Sequence, residues 1–220
     1  MSQRNLSLFY LHRRTHGYAV RLAYKALTLH GVSWERAMPS SFESIERDSA
    51  IVFALNRELR IVYCNEAWDR FAQSNGGTAL MRPVPYGMCV LDVIPAPLKS
   101  RYRVAYLNVF ATRRQWVHEY ECSSSTVYRP FKMTALQRPE DDLILVANFL
   151  LEQRPHGAER PVMAPDPAAY EGSDHSVAMC SVCRKSRPRG GRRWHWVPAY
   201  VERPPARIVY GLCESSGRNW

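Results

Sequence analysis

The 220-residue chain carries 30 Lys and Arg against 20 Asp and Glu, a formal net charge of +10, with 46% hydrophobic and 23% charged residues. That apolar content excludes a chain disordered throughout, and no run approaches 18 uncharged apolar residues, so no membrane-spanning helix and no membrane partner are expected. The basic excess sits at the two ends: residues 1–40 hold six basic residues against one acid, 41–154 fourteen against thirteen, and 155–220 ten against six.

Residues 1–40 read as a basic leader, helical or disordered. Within it Tyr18–Leu29 has helical spacing, with Val20, Ala23, Tyr24 and Leu27 near one face. Three readings stand for this segment: an organelle transit peptide, a dimerising helix, or an untranslated stretch ahead of Met38. No secretory signal is recognisable, and Cys64, Cys89 and Cys122 stand singly in apolar stretches, as buried small hydrophobes do. A reducing cytoplasm is therefore the expected location.

From Ser40 the pattern becomes regular. Ala50–Leu55 and Ile61–Cys64 read as two strands joined by the polar turn Asn56-Arg57-Glu58. Asn65 stands where an N-cap belongs, before a short helix over 66–72 that Gly76-Gly77 stops. Pro97 suits the first turn of a long helix, Leu98–Thr112, whose apolar stripe is Leu98, Tyr102, Ala105 and Val109, widened by Tyr106 and Phe110. Strands are expected at Trp116–Cys122, Val127–Leu136 and Leu143–Leu151. Pro130 falls inside the second of these, so a bulge or a late start near Phe131 is expected there. Two strands, then helices, then three strands give an α+β domain with an antiparallel sheet.

The strings AIVFALNRELRIVYCNEAW (50–68), YGMCVLDVIPAPL (86–98), WVHEYEC (116–122), FKMTAL (131–136) and LILVANFLLE (143–152), in that order and spacing, resemble the PAS sensor family, over residues 41–153. Asn65 and Gly87 stand at positions where that family has Asn and Gly. The resemblance implies a five-stranded antiparallel sheet with helices on one face and a cavity between them for a small ligand, whose identity the sequence leaves unknown. Phe53, Asn65, Trp68, Tyr106 and Phe110 are the candidates for lining that cavity, or for simply filling a core. No haem or flavin is expected: the long helix lacks a His, and Cys89 falls one residue away from the position of a reactive flavin cysteine. The resemblance also implies a homodimer through this domain and output through a signalling partner such as a kinase or response regulator.

Residues 154–175 are rich in Pro, Ala and polar residues and read as a linker. The tail, 176–220, holds Cys180-Ser181-Val182-Cys183, Trp194-His195-Trp196-Val197 and Gly211-Leu212-Cys213. It resembles a small cysteine module often found after bacterial PAS domains, a zinc-ribbon-like unit closed by four cysteines. Cys180, Cys183 and Cys213 are the candidate metal ligands and zinc the expected metal, since a C-x-x-C knuckle offers two thiolates to one tetrahedral ion. The fourth cysteine is missing, for position 216 is Ser; His175 or His195 could complete the set. The interleaved arginines and tryptophans of the tail offer a second reading, binding of nucleic acid by charge and stacking, which is not the preferred one.

Catalytic motifs are not recognised: there is no phosphate-binding glycine loop, dinucleotide fingerprint, HExxH or GxSxG string. Glu119 and Glu121, two apart on one strand, read as a solvated face. The expectation is a non-catalytic sensor or interaction protein of intracellular signal transduction.

Overall fold

A computed structural model describes residues 42–138, 140–158 and 160–217. The basic leader and its expected helix at 18–29 lie outside these residues.

A five-stranded sheet forms the larger body, with strand order β2-β1-β6-β5-β3 and every pairing antiparallel. Its strands are β1 (Ile51–Leu55), β2 (Ile61–Cys64), β3 (Trp116–Glu121), β5 (Pro130–Arg138) and β6 (Leu143–Leu150). The 66–74 helix and the long helix Ala96–Thr112 both pack on one face of it. This is the α+β architecture that the PAS resemblance implied.

The hydrophobic pattern explains which face is which. Side chains alternate along a strand, so Phe53 and Leu55 of β1, Met133 and Ala135 of β5, and Ile144 and Val146 of β6 point into one core with Leu98, Tyr102, Tyr106, Val109 and Phe110 of the long helix. The helix begins after Pro95, with Pro97 in its first turn, and ends at Arg113, which takes a left-handed φ of 57°. The opposite sheet face is half covered. Phe42 stacks on Tyr63 with ring centroids 4.2 Å apart, above Val52 and Ala54. Beyond that cover, Val117, Leu136 and Phe149 remain exposed on the same face.

The expected strand 127–136 is two strands. β4 (Val127–Tyr128) pairs not with the sheet but with β7 (Arg154–Pro155), while β5 starts at Pro130 opposite Glu121. Proline has no N–H to give to a ladder, and the first position of a strand is where that omission costs least. Gly87, at φ +81°, opens the segment before the long helix; its N–H donates to the Ile61 carbonyl at 2.8 Å. A side chain at this left-handed position would be strained.

The stretch 154–175 is more structured than a bare linker. Besides β7 it contains a capped turn of helix, Pro167–Tyr170, whose Tyr170 is buried against Val177, Met179, Val197 and Tyr200. The tail itself is a three-stranded sheet, β10-β8-β9, of β8 (Ser176–Cys180), β9 (Ser186–Arg187) and β10 (Arg207–Gly211). β8 and β10 are parallel. Val182 and Leu212 from this unit reach the core of the larger body.

Candidate functional site

The candidate cavity residues Phe53, Asn65, Trp68, Tyr106 and Phe110 are all buried. Phe53 and Trp68 meet edge to face at 5.6 Å, and the Trp68 indole N–H donates to the Leu80 carbonyl at 2.8 Å. Tyr106, wholly buried, donates from its hydroxyl towards the Met133 sulfur at 3.7 Å, and Phe110 lies in the same cluster. Where Ile51, Phe53, Trp68, Phe71, Tyr120, Cys122 and Asn148 face one another, the space left is about 10 Å³, room for roughly one water.

Asn65 is a structural hub. Its Oδ1 accepts from the N–H of Trp68 at 3.2 Å, which caps the helix, and from Val52 at 3.0 Å; its Nδ2 donates to the carbonyls of Ala50 at 2.9 Å and Ile45 at 3.1 Å. An aromatic ladder lines β3 at the opposite edge of the sheet: half-buried His118 stacks between Trp116 and Tyr120. Burial, reinforced by the Arg101 charge, lowers the His118 pKa to about 4, so the ring is neutral at ordinary pH.

The three tail cysteines come together. Their sulfurs lie within 4.8 Å of one another, and all three are buried. Cys180 and Cys183 leave β8 on one tight turn, and Cys213 follows β10; the parallel pairing of Gly211 with Cys180 sets the two knuckles side by side. Cys183 and Cys213 are 3.5 Å apart. Tetrahedral zinc at about 2.3 Å from each sulfur requires sulfur separations of about 3.8 Å, so the cluster matches the ion's size.

Backbone amides also point at the sulfurs. The N–H of Cys213 donates to Cys180 Sγ at 3.4 Å, and that of Ser216 to Cys213 Sγ at 3.4 Å. Each such bond favours the thiolate over the thiol, which is the form a metal binds. The donors present therefore fit zinc, and once bound the ion would crosslink the start and end of the tail. Neither histidine considered for the fourth position faces the cluster. His195 Nδ1 is 2.8 Å from the Tyr170 hydroxyl, and His175 is exposed beside Glu171. The group at that corner is Ser216, with Oγ 3.1 Å from Cys213 Sγ and 3.5 Å from Cys180 Sγ. Its signal in the sequence was the spacing Cys213-x-x-Ser216, which repeats Cys180-x-x-Cys183.

Glu121 is not the solvated acid its spacing suggested. Arg160 grips both its oxygens at 2.9 Å, with both side chains only 14% exposed. The same guanidinium lies over the rings of Trp196, at 4.7 Å, and Tyr128. Burial disfavours this cation, but the hydrogen bonds and charge of Glu121 outweigh that, and the pKa of Arg160 ends raised. Arg160 thus ties edge strand β3 to the tail. On the other side of the tail, Tyr170, Ser176, Arg187, Arg189 and the Gly190-Gly191 turn line an open groove of about 460 Å³.

No family model matches the chain, and no curated protein is similar to it in sequence. Solved structures are similar at low identity. The PAS domain of the Cronobacter turicensis RpfR quorum-sensing receptor in complex with C12:0 is 14% identical over 49% of this chain and 99% of its own, with a TM-score of 0.39. The PAS domain of Bordetella pertussis BvgS is 13% identical over 50% of this chain and 82% of its own, TM-score 0.33. A PAS domain from a two-component sensor histidine kinase is 13% identical over 52% and 93%, TM-score 0.34.

Proposed function

We propose that this chain is a non-catalytic sensor or interaction protein of intracellular signal transduction, built on a PAS-like domain, and that it acts through a partner protein that docks on its surface. The observation that carries this reading is the outer sheet face, where Val117, Leu136 and Phe149 stand 40–45% exposed. Exposed apolar side chains gathered on one face of a sheet favour association. A second copy of the chain is the first partner expected there, and a kinase or response regulator the downstream one. Zinc in the tail would hold the second unit in shape against β3.

Light scattering on the purified chain tests the association. A dimer that the double variant L136E/F149E converts to a folded monomer supports this face; a wild-type chain that stays monomeric at high micromolar concentration removes it. Consumption of ATP by the pure chain would overturn the non-catalytic assignment.

The tail supports one second reading. Residues 176–217 carry eight basic residues against two acids, and Arg187, Arg189, Arg192 and Arg193 are exposed. Arg187 lies over the Trp194 ring at 5.4 Å. Such a surface fits single-stranded nucleic acid. Binding that weakens steeply with salt, and is lost in R187A/R189A, would favour it; no binding at 50 mM salt would dismiss it.

A further inference from the structure

We propose that Ser216 is the fourth ligand of a zinc ion held by Cys180, Cys183 and Cys213, so that the site is a three-sulfur, one-oxygen centre rather than a broken four-cysteine one. The proposal rests on the reading of the tail as a metal unit and goes beyond it by assigning the open corner.

Geometry carries the argument. With zinc about 2.3 Å from sulfur and about 2.0 Å from oxygen, a tetrahedral ion places the oxygen about 3.5 Å from each sulfur. Ser216 Oγ stands 3.1 and 3.5 Å from two of the three sulfurs. Its neighbour Ser215 approaches Cys213 alone, at 3.2 Å. Ser216 is also buried and its own N–H bonds Cys213 Sγ, so its hydroxyl is held at the corner by the same turn that positions a ligand. Among the described residues no His, Asp or Glu joins the three cysteines there.

The chemistry of the corner differs from that of the other three. On binding, the three thiols release their protons to water, while the serine hydroxyl coordinates through a lone pair and keeps its proton. The centre then carries a net charge of −1, where four thiolates would give −2. A neutral hydroxyl is a far weaker donor than a thiolate, so this corner is the one that an incoming soft ligand displaces. The arrangement lies between a closed structural site and one that keeps an open position.

Cobalt(II), added anaerobically to the metal-free full chain, reads out both number and type of ligands. Three proteins are compared with the wild type: S216A, S216C and S215A. The wild type is expected to take up one cobalt in tetrahedral geometry. S216C should raise the sulfur-to-metal absorption per cobalt by about one third, three thiolates becoming four, and bind zinc more tightly. S216A should weaken binding about tenfold or more, a loss of the size metal-supporting residues give, while S215A leaves it unchanged. Equal affinity in S216A and the wild type overturns the assignment and leaves the three-cysteine site standing. A wild type that takes up neither cobalt nor zinc removes the metal reading itself. Circular dichroism of each variant confirms that folding is retained.

Discussion

Arg160 closes a two-pronged ion pair on Glu121 across 39 residues of sequence, and through its seat over the Trp196 ring it links the tail to the edge of the five-stranded sheet. Both side chains are largely shielded from water, so losing one leaves the other charged and poorly solvated. Glu121→Gln is expected to cost about 2–4 kcal/mol of stability in urea unfolding. The paired replacement E121M/R160M should recover much of that loss, because both desolvated charges disappear together. Additive losses in the double variant would show that the pair does not act as a unit.

Asn65 presents a different kind of dependence. Its two acceptor and two donor bonds serve β1, the turn before β1 and the helix start at once. Asn65→Ala leaves these backbone groups unpaired in the interior, and a loss of about 3–5 kcal/mol is expected. Asn65→Asp keeps the cap but turns an oxygen towards the Ala50 and Ile45 carbonyls, so it should destabilise nearly as much. Denaturation midpoints equal to the wild type in the aspartate variant would show that the cap alone matters.

The sequence showed part of this and hid part of it. Asn65 was readable as a cap because capping is decided by a few adjacent residues, and the long helix was readable from Pro97 and the stripe that follows. The role of Glu121 was not, because its partner lies far away in sequence and an acid alternating on a strand looks the same whether water or an arginine meets it. Pro130 announced a break, but where the freed segment would pair depended on Arg154 and Pro155, in a stretch whose composition resembled a linker. The three cysteines were readable from spacing, whereas the corner at Ser216 needed the parallel pairing of β8 with β10 to bring it round.

His118 gives the fold an acid limit. Its pKa falls from 6.5 in the open chain to about 4 in the folded one, so between these values the unfolded chain binds a proton that the folded chain does not. The stability owed to this ring is complete above pH 6.5 and is lost as pH drops towards 4. His118→Phe, which preserves the stacking with Trp116 and Tyr120, should flatten the dependence of the urea midpoint over that range. Parallel pH curves for the two proteins would rule the ring out as the cause.

Chelation should affect one part of the molecule. If zinc crosslinks Cys180 and Cys183 to Cys213, a strong chelator is expected to speed amide exchange across 176–213 while β1, β5 and β6 keep their protection. Uniform loss of protection in both bodies would mean that the tail and the sheet unfold as one.

The parallel run of β10 along β8 bears on how the tail answers mechanical load. Five residue pairs, from Arg207 with Ser176 to Gly211 with Cys180, join these strands. In a parallel pair, tension entering at the start of one strand and leaving at the end of the other pulls along the strand axis. All the rungs then share the force, instead of parting one at a time as in a hairpin opened from its ends. A tug transmitted down the chain would find this small sheet a stiff link, and would stretch its surroundings first.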